Sequence, residues 1–122
     1  MSEPDPREQR RYRRLTVRID VSYLALREGR VASALATTLG AGGLFIRTDD
    51  PLAPGEALRV RFRLPGAARE HELEARVVWA NHAHTPGVPD SGRGMGVAFR
   101  DPRAQARLAS DLVGWSPPGS AD

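Results

Sequence analysis

The sequence contains no cysteine, and none of its 18 basic residues is a lysine. Without thiols the chain can form no disulfide, no thiolate metal site and no cysteine nucleophile. A chain without cysteine suits a reducing compartment, and we therefore expect a cytoplasmic protein. Its permanent positive side-chain charge is carried by arginine alone, whose planar fork of N–H donors suits phosphate and carboxylate groups.

Long hydrophobic runs are also missing. No apolar stretch approaches the ~18–20 residues that a membrane span needs. Residues 1–14 are polar and arginine-rich, without the apolar segment of a secretory signal. With 122 residues and a hydrophobic fraction of 40%, the chain has the size and composition of one domain with a modest core.

The arginines are concentrated near the N-terminus. Six of the 18 fall between Arg7 and Arg18, with Glu8 as the only acidic residue among them. The rest of the chain is close to neutral, so the formal net charge of +3 mostly reflects a local cationic arm. On charge clustering alone, a solvated basic leader without a specific ligand is the simpler explanation.

Alternation of apolar and polar residues predicts six β-strands. Turn and breaker residues separate them, among them a glycine-rich segment at Gly40–Gly43 that we expect to be a backbone excursion. The second strand is the weakest, because alanines lie between the residues that indicate it, Val31, Ser33, Leu35 and Thr37. The predicted strands are Leu15–Tyr23, Val31–Thr37, Leu44–Thr48, Leu58–Leu64, Glu70–Ala80 and Met95–Phe99.

Two of these strands carry complementary charges. Three arginines alternate with the apolar residues of Leu58–Leu64, and glutamates alternate with those of Glu70–Ala80. We expect the arginine row and the glutamate row to pair across neighbouring strands. The large aromatic residues Trp79 and Phe99 are predicted to face the core.

The periodicity changes after the last strand. Asp101 has the side chain of an N-cap, and Pro102 suits the first helical position. Apolar residues then recur at spacings of three and four, at Ala104, Leu108, Leu112 and Trp115. The chain is predicted to be an all-β, six-stranded antiparallel barrel over residues 15–100 with a C-terminal helix over 101–115. A leader (1–8) and an arginine arm (9–14) precede it, and a tail (116–122) follows.

Two motifs in this framework resemble those of the PilZ domain family, and the resemblance covers about residues 9–100. That family carries Arg-x-x-x-Arg in a flexible arm before its first strand, matched here by Arg10 and Arg14. Its second motif, Asp/Asn-x-Ser-x-x-Gly, lies between the second and third strands. Gly43 matches that motif, whereas Thr38 replaces Asp or Asn and Gly40 replaces Ser. The later strands are similar as well, at residues 77–79 and 94–99.

The resemblance implies a non-enzymatic PilZ-type barrel that senses cyclic di-GMP and needs no other cofactor. The arm arginines would hold a phosphate or a guanine edge, and ordering of the arm would change the surface offered to a protein partner in a signalling or motility pathway. At the second motif, Thr38 keeps one hydroxyl acceptor and Gly40 keeps only a backbone N–H. The implied ligand-binding residues are Arg10, Arg11, Arg14, Thr38, Gly40 and Gly43. Among the arm residues, Arg10 and Arg14 would be the main anchors, Arg11 and Arg13 would help, and Tyr12 would offer a stacking face.

One alternative is a degenerate PilZ domain that binds no nucleotide and acts as a protein–protein adaptor. The replacements at Thr38 and Gly40 favour it, and the complete Arg10/Arg14 pair opposes it.

Two further classes of function fit the sequence less well. A nucleic-acid-binding barrel would place the arm on phosphate and the strand arginines Arg59, Arg61 and Arg63 on a groove, but no exposed aromatics are predicted between the basic residues to stack on bases. An enzyme is disfavoured because the sequence has no nucleophile elbow and no metal-ligand spacing. The histidines, His71, His82 and His84, are expected to be surface residues rather than metal ligands.

Overall fold

A computed structural model of the chain describes residues 14–82, 87 and 92–117. It confirms the predicted architecture, a closed antiparallel barrel of six strands followed by one helix. The elements are β1 (Leu15–Ala25), β2 (Arg30–Gly40), β3 (Gly43–Arg47), β4 (Ala57–Arg63), β5 (Glu70–Asn81), β6 (Gly94–Phe99) and α1 (Pro102–Leu112). Around the barrel the strands pair in the order β1-β2-β3-β6-β5-β4, and β4 closes the ring against β1.

The period of two decides which side chains fill the barrel. In β4 the apolar residues are buried while the arginines between them point outward, and β1 and β5 alternate in the same way. Phe99 is only 6% exposed, which confirms its predicted place in the core. Inward-facing residues from all six strands form one apolar cluster, whose removal from water is the main driving force for folding.

The second strand is present, but its alanines rather than Val31 and Leu35 face the interior. Val31 is 70% exposed, whereas Ala36 is 1% exposed. The pairing with β1 explains why the alanines face inward. Ala32 lies opposite Tyr23, whose large ring fills the space that the small alanine side chains leave. A register shift after Ala36 then changes which residues face inward along the rest of the strand.

The predicted pairing of the arginine and glutamate rows is confirmed on the outer face of β4 and β5. Arg59 Nη2 lies 3.2 Å from Glu74 Oε2, and Arg61 Nη2 lies 3.0 Å from Glu72 Oε2. Because both partners of each pair are exposed to water, the pairs add little to the free energy of unfolding. Their consequence is a surface of mixed charge, in which these arginines are already neutralised.

The glycine-rich segment is a tight hairpin and not the backbone excursion that the sequence predicted. Gly40 and Gly43 are cross-strand partners at the ends of β2 and β3, and Ala41 and Gly42 form the turn between them. Neither Gly40 nor Gly43 adopts a positive φ. The glycines therefore belong to the strands, and their role has to be sought in what packs against them.

Helix α1 lies across one end of the barrel. Asp101 caps it as predicted, with its carboxylate accepting a hydrogen bond from the Ala104 N–H at 3.2 Å. Ala104 and Leu108 are buried against the strands, and the helix ends at Leu112, three residues earlier than expected. Trp115 packs on the core just beyond it and donates its indole N–H to the Pro65 carbonyl at 3.1 Å. In the described residues no helix is long and apolar enough to cross a membrane.

His71 is buried, with 4% of its area exposed, so its predicted surface position is wrong. It alternates with Leu73 on the inner face of β5 and lies beneath α1, where its Nε2 is 3.0 Å from Asp111 Oδ2. Arg69 Nε lies 3.4 Å from the same carboxylate oxygen. Burial lowers the pKa of His71. Asp111 opposes that shift only in part, and the charges of Arg69 and Arg107 add to it.

Stability is therefore predicted to depend on pH through His71. The pKa of His71 is lower in the folded state than the unfolded value of ~6.5. The unfolded chain therefore binds the proton more readily than the folded protein. The free energy of unfolding is highest at pH values above ~6.5 and decreases as the pH falls below the unfolded pKa. In urea unfolding we expect the midpoint to drop between about pH 7 and about pH 5, and to drop less in His71→Gln. An equal drop in both proteins would contradict this account.

Candidate functional site

Most of the predicted ligand residues meet at one place on the outer face of the barrel. A pocket of about 90 Å³ beside the β2–β3 hairpin is lined by Arg14, Thr38, Gly40 and Gly43, among others. Arg10 and Arg11 lie outside the described residues, as do Tyr12 and Arg13. The second arginine of the arm and the second motif therefore come together, although more than 20 residues separate them in the sequence.

Strand register explains one wall of the pocket. A row of cross-strand partners runs over four strands, β2, β3, β6 and β5, through Thr38, Phe45, Gly96 and Trp79. These positions face outward, because their sequence neighbours Leu39, Leu44 and Val97 are buried in the core. The row supplies one hydroxyl and two aromatic rings, with a glycine between the rings.

A second row, two residues further along the strands, is almost free of side chains. Its cross-strand partners are Gly40, Gly43 and Ala98. A Cβ on Gly43 would collide with the carbonyl oxygen of Val97, so β3 and β6 lie too close for any other residue at this position. The floor of the pocket is therefore backbone and a single methyl group.

Trp79 lies on the outer face, and its predicted place in the core is wrong. It is 45% exposed, because a bulge between Val77 and Trp79 shifts the alternation of β5 by one residue. Its indole stacks with Phe45 at a ring-centroid distance of 5.2 Å and an interplanar angle of 24°. Two features of the sequence could have indicated the outward position of Trp79. Residues 77–79 are three consecutive apolar residues, which cannot all face the core of a regular strand, and a glycine occupies position 96 on the neighbouring strand.

Two hydrogen bonds tie the turn of the hairpin beside the pocket to β6 and α1. The side-chain amide of Gln105, on α1, donates to the Ala41 carbonyl at 3.3 Å. The backbone N–H of Phe99 donates to the Gly42 carbonyl at 2.9 Å. The turn between the two glycine strands is therefore fixed by both β6 and the helix.

The electrostatics of the pocket favour an anion. Arg14 is exposed at its edge, and the described lining includes no carboxylate. No group of three or more His, Cys, Asp or Glu residues in the part of the chain described here is placed to hold a metal ion. His82 is exposed, and His84 lies outside the described residues. Aromatic faces, a cation and a bare backbone floor together suit a flat, negatively charged ligand.

The sequence matches the PilZ domain over residues 8–113. The chain belongs to the PilZ domain family. No curated protein matches it significantly.

Solved structures share the fold of this PilZ domain. It is similar to the Bacillus subtilis inhibitor of motility (MotI/DgrA), with a TM-score of 0.66 and 24% identity, over 91% of this chain and 55% of that one. For the PilZ domain of CeSA from a cellulose-synthesizing bacterium, the TM-score is 0.59 and the identity 21%, over 83% of this chain and 98% of that one. For the PilZ domain of YcgR from Escherichia coli, solved with c-di-GMP, the TM-score is 0.61 and the identity 14%, over 87% of this chain and 90% of that one. This chain thus spans about half the length of the Bacillus protein.

Gly43 and Gly96 are predicted to differ in the substitutions that they tolerate. A methyl group on Gly43 meets the backbone of β6, which cannot move without disturbing the barrel, so Gly43→Ala should lower the free energy of unfolding by ~1–3 kcal/mol. A methyl group on Gly96 meets the indole of Trp79, which is exposed and can swing outward. Gly96→Ala should therefore cost less stability and change the fluorescence of Trp79.

Urea unfolding and emission spectra in a Trp115→Phe background measure both effects, because Trp79 is then the only tryptophan. Equal losses of stability, or an unchanged Trp79 spectrum in Gly96→Ala, would contradict the predicted difference between the two glycines.

Proposed function

We propose that this PilZ domain is a non-enzymatic signalling module that binds cyclic di-GMP in the pocket beside the β2–β3 hairpin. The observation that carries the proposal is that Arg14 of the arm motif lines the same pocket as Gly40 and Gly43 of the second motif. The YcgR PilZ domain, which shares the fold, was solved with this ligand. The proposed setting is the reducing cytoplasm of a bacterium, which a chain without cysteine suits.

Groups in the pocket have counterparts in cyclic di-GMP. The guanidinium of Arg14 can direct two N–H donors onto a phosphate or onto the O6/N7 edge of guanine. The exposed indole of Trp79 offers a face for a guanine ring, and such stacking contributes ~1–3 kcal/mol per base. The bare floor at Gly40 and Gly43 lets a ligand approach the backbone closely.

The replacements in the second motif set the expected strength of binding. An Asp or Asn at position 38 would accept from both guanine donors, N1–H and N2–H₂, whereas Thr38 offers one hydroxyl. Gly40 lacks the hydroxyl that a Ser would donate to phosphate. Losing two or three hydrogen bonds of ~0.5–1.5 kcal/mol each weakens binding roughly 10- to 1000-fold relative to the full motif.

The proposed signal is a change in the N-terminal arm. Arg14 immediately precedes β1, and Arg10 lies four positions before it in the sequence. A ligand that engages both arginines orders this stretch of chain against the barrel and alters the surface around the pocket. We propose that a protein partner recognises that surface. The similarity to an inhibitor of motility makes motility a process in which to seek the partner.

A second candidate is an adaptor that binds no nucleotide, and the replacements at Thr38 and Gly40 favour it. Nucleic acid is a poorer candidate, because Arg59 and Arg61, two of the strand arginines that would lie on its groove, are paired with glutamates. Their neutralised charge leaves little to attract a polyanion to that face.

Titration calorimetry with cyclic di-GMP at physiological salt tests the proposal. We expect saturable heat from the wild-type protein, and none from an Arg10→Ala/Arg14→Ala double variant or from GTP as a control ligand. The reason is that both arginines make charge-assisted contacts that alanine cannot replace. No heat from the wild type up to roughly millimolar ligand, a limit of about −4 kcal/mol, would contradict the proposal and favour the adaptor.

Restoring the second motif is predicted to strengthen binding. Thr38→Asp with Gly40→Ser should raise the affinity for cyclic di-GMP at least ~10-fold, because it returns the guanine acceptors and the phosphate donor. Ser33→Asp is the matched control, since it adds the same charge on β2 at an exposed position outside the pocket. An unchanged affinity in the double variant would mean that the ligand does not contact positions 38 and 40.

A further inference from the structure

Arg76 lies at the β5 end of the second row of the pocket, the row that is almost free of side chains. It lies on β5 opposite Ala98 of β6, and Ala98 in turn lies opposite Gly43 of β3. Gly43 pairs with Gly40 of β2, and Arg14 lines the pocket beyond Gly40, just before β1. The row therefore crosses five adjacent strand positions and has an arginine at each end.

The charge of Arg76 is uncompensated in residues 14–82, 87 and 92–117. Its cross-strand partners are alanines on both sides, Ala57 and Ala98. Glu74, two residues away on the same face, is bonded to Arg59 instead, at 3.2 Å. Arg76 is exposed and forms no salt bridge with any residue of that part of the chain. It thus differs from the arginines of β4 at positions 59 and 61, which glutamates neutralise.

We propose that Arg76 is a second anion-binding residue of this pocket, which holds a phosphate of the ligand from the side opposite Arg14. Ala98 is small enough for the guanidinium of Arg76 to lie across β6 toward the floor at Gly43. The row spans four strand spacings, ~19 Å along the surface. Two arginines reaching inward from its ends leave room between them for a cyclic dinucleotide.

This inference rests on the proposed function and makes it more specific. A ligand with phosphates on opposite sides of a ring can engage both arginines at once, whereas a ligand with a single phosphate engages only one. Each contact is charge-assisted and can be bidentate, which makes it stronger than a neutral hydrogen bond. The pocket should therefore prefer cyclic di-GMP to GMP, and Arg76 should contribute to that preference.

The experiment is calorimetry of Arg76→Gln and Arg76→Lys with cyclic di-GMP and with GMP, at low and at physiological salt. Arg76→Gln should weaken cyclic di-GMP binding ~10-fold and make it less dependent on salt. Arg76→Lys should lose less, because an ammonium keeps the charge but not the planar fork. The unfolding midpoint should stay at the wild-type value, because Arg76 has no partner within the described residues.

Arg63→Gln is the matched control. Arg63, on β4, is also an exposed arginine without a salt bridge among the described residues. It lies opposite Glu70, which precedes Arg76 on β5 by six positions, and is therefore well away from the pocket row. It should leave cyclic di-GMP binding unchanged. Equal weakening by both variants would mean that general electrostatic attraction is at work, and the inference would be overturned.

The remaining outcomes separate the inference from the proposed function. If the wild type and Arg76→Gln bind cyclic di-GMP equally, the inference about Arg76 is wrong and the proposed function stands. If the wild type binds no cyclic di-GMP, the proposed function fails and the inference fails with it.

Discussion

The close approach of β3 to β6 is the constraint on which the pocket depends. At one end of this ladder a side chain on Gly43 would strike the Val97 carbonyl, and at the other end one on Gly94 would strike the Ile46 carbonyl. Between them, Gly96 leaves the space that the Trp79 indole occupies. The same two strands turn apolar residues into the core on their other face. A bare outer face, bordered by aromatic rings and arginines, is thus a consequence of how tightly the barrel closes.

The fold follows from the sequence wherever one face of a strand is clearly apolar. β4 has apolar residues strictly alternating with arginines, so its outward face is as predicted and its bounds, Ala57–Arg63, differ from the predicted Leu58–Leu64 by one residue at each end. β2 has weakly apolar residues on both faces, so its pattern does not reveal that the alanines point inward beside Tyr23. His71 sits under a helix that begins some 30 residues later, and no local pattern records such long-range burial.

The site was predictable in part, through motif spacing rather than periodicity. Arg14, Thr38, Gly40 and Gly43 were identified by their positions in two motifs, and they line one pocket. Trp79 was missed because a single inserted residue in β5 reverses the direction of its side chain, and a bulge leaves only a faint trace in the sequence. Phe45 and Arg76 become visible only once the register of β3, β6 and β5 is known.

Backbone and indole chemical shifts during a titration with cyclic di-GMP test whether the ligand occupies this pocket, because they locate a ligand residue by residue. If cyclic di-GMP binds in the pocket, the amide signals of Gly40, Gly43 and Gly96 and the indole N–H signal of Trp79 will move together and saturate. The amides of Glu72, on the charge-paired face, should stay in place. Saturating shifts confined to that paired face, or no shifts at all, would contradict the assignment of the pocket.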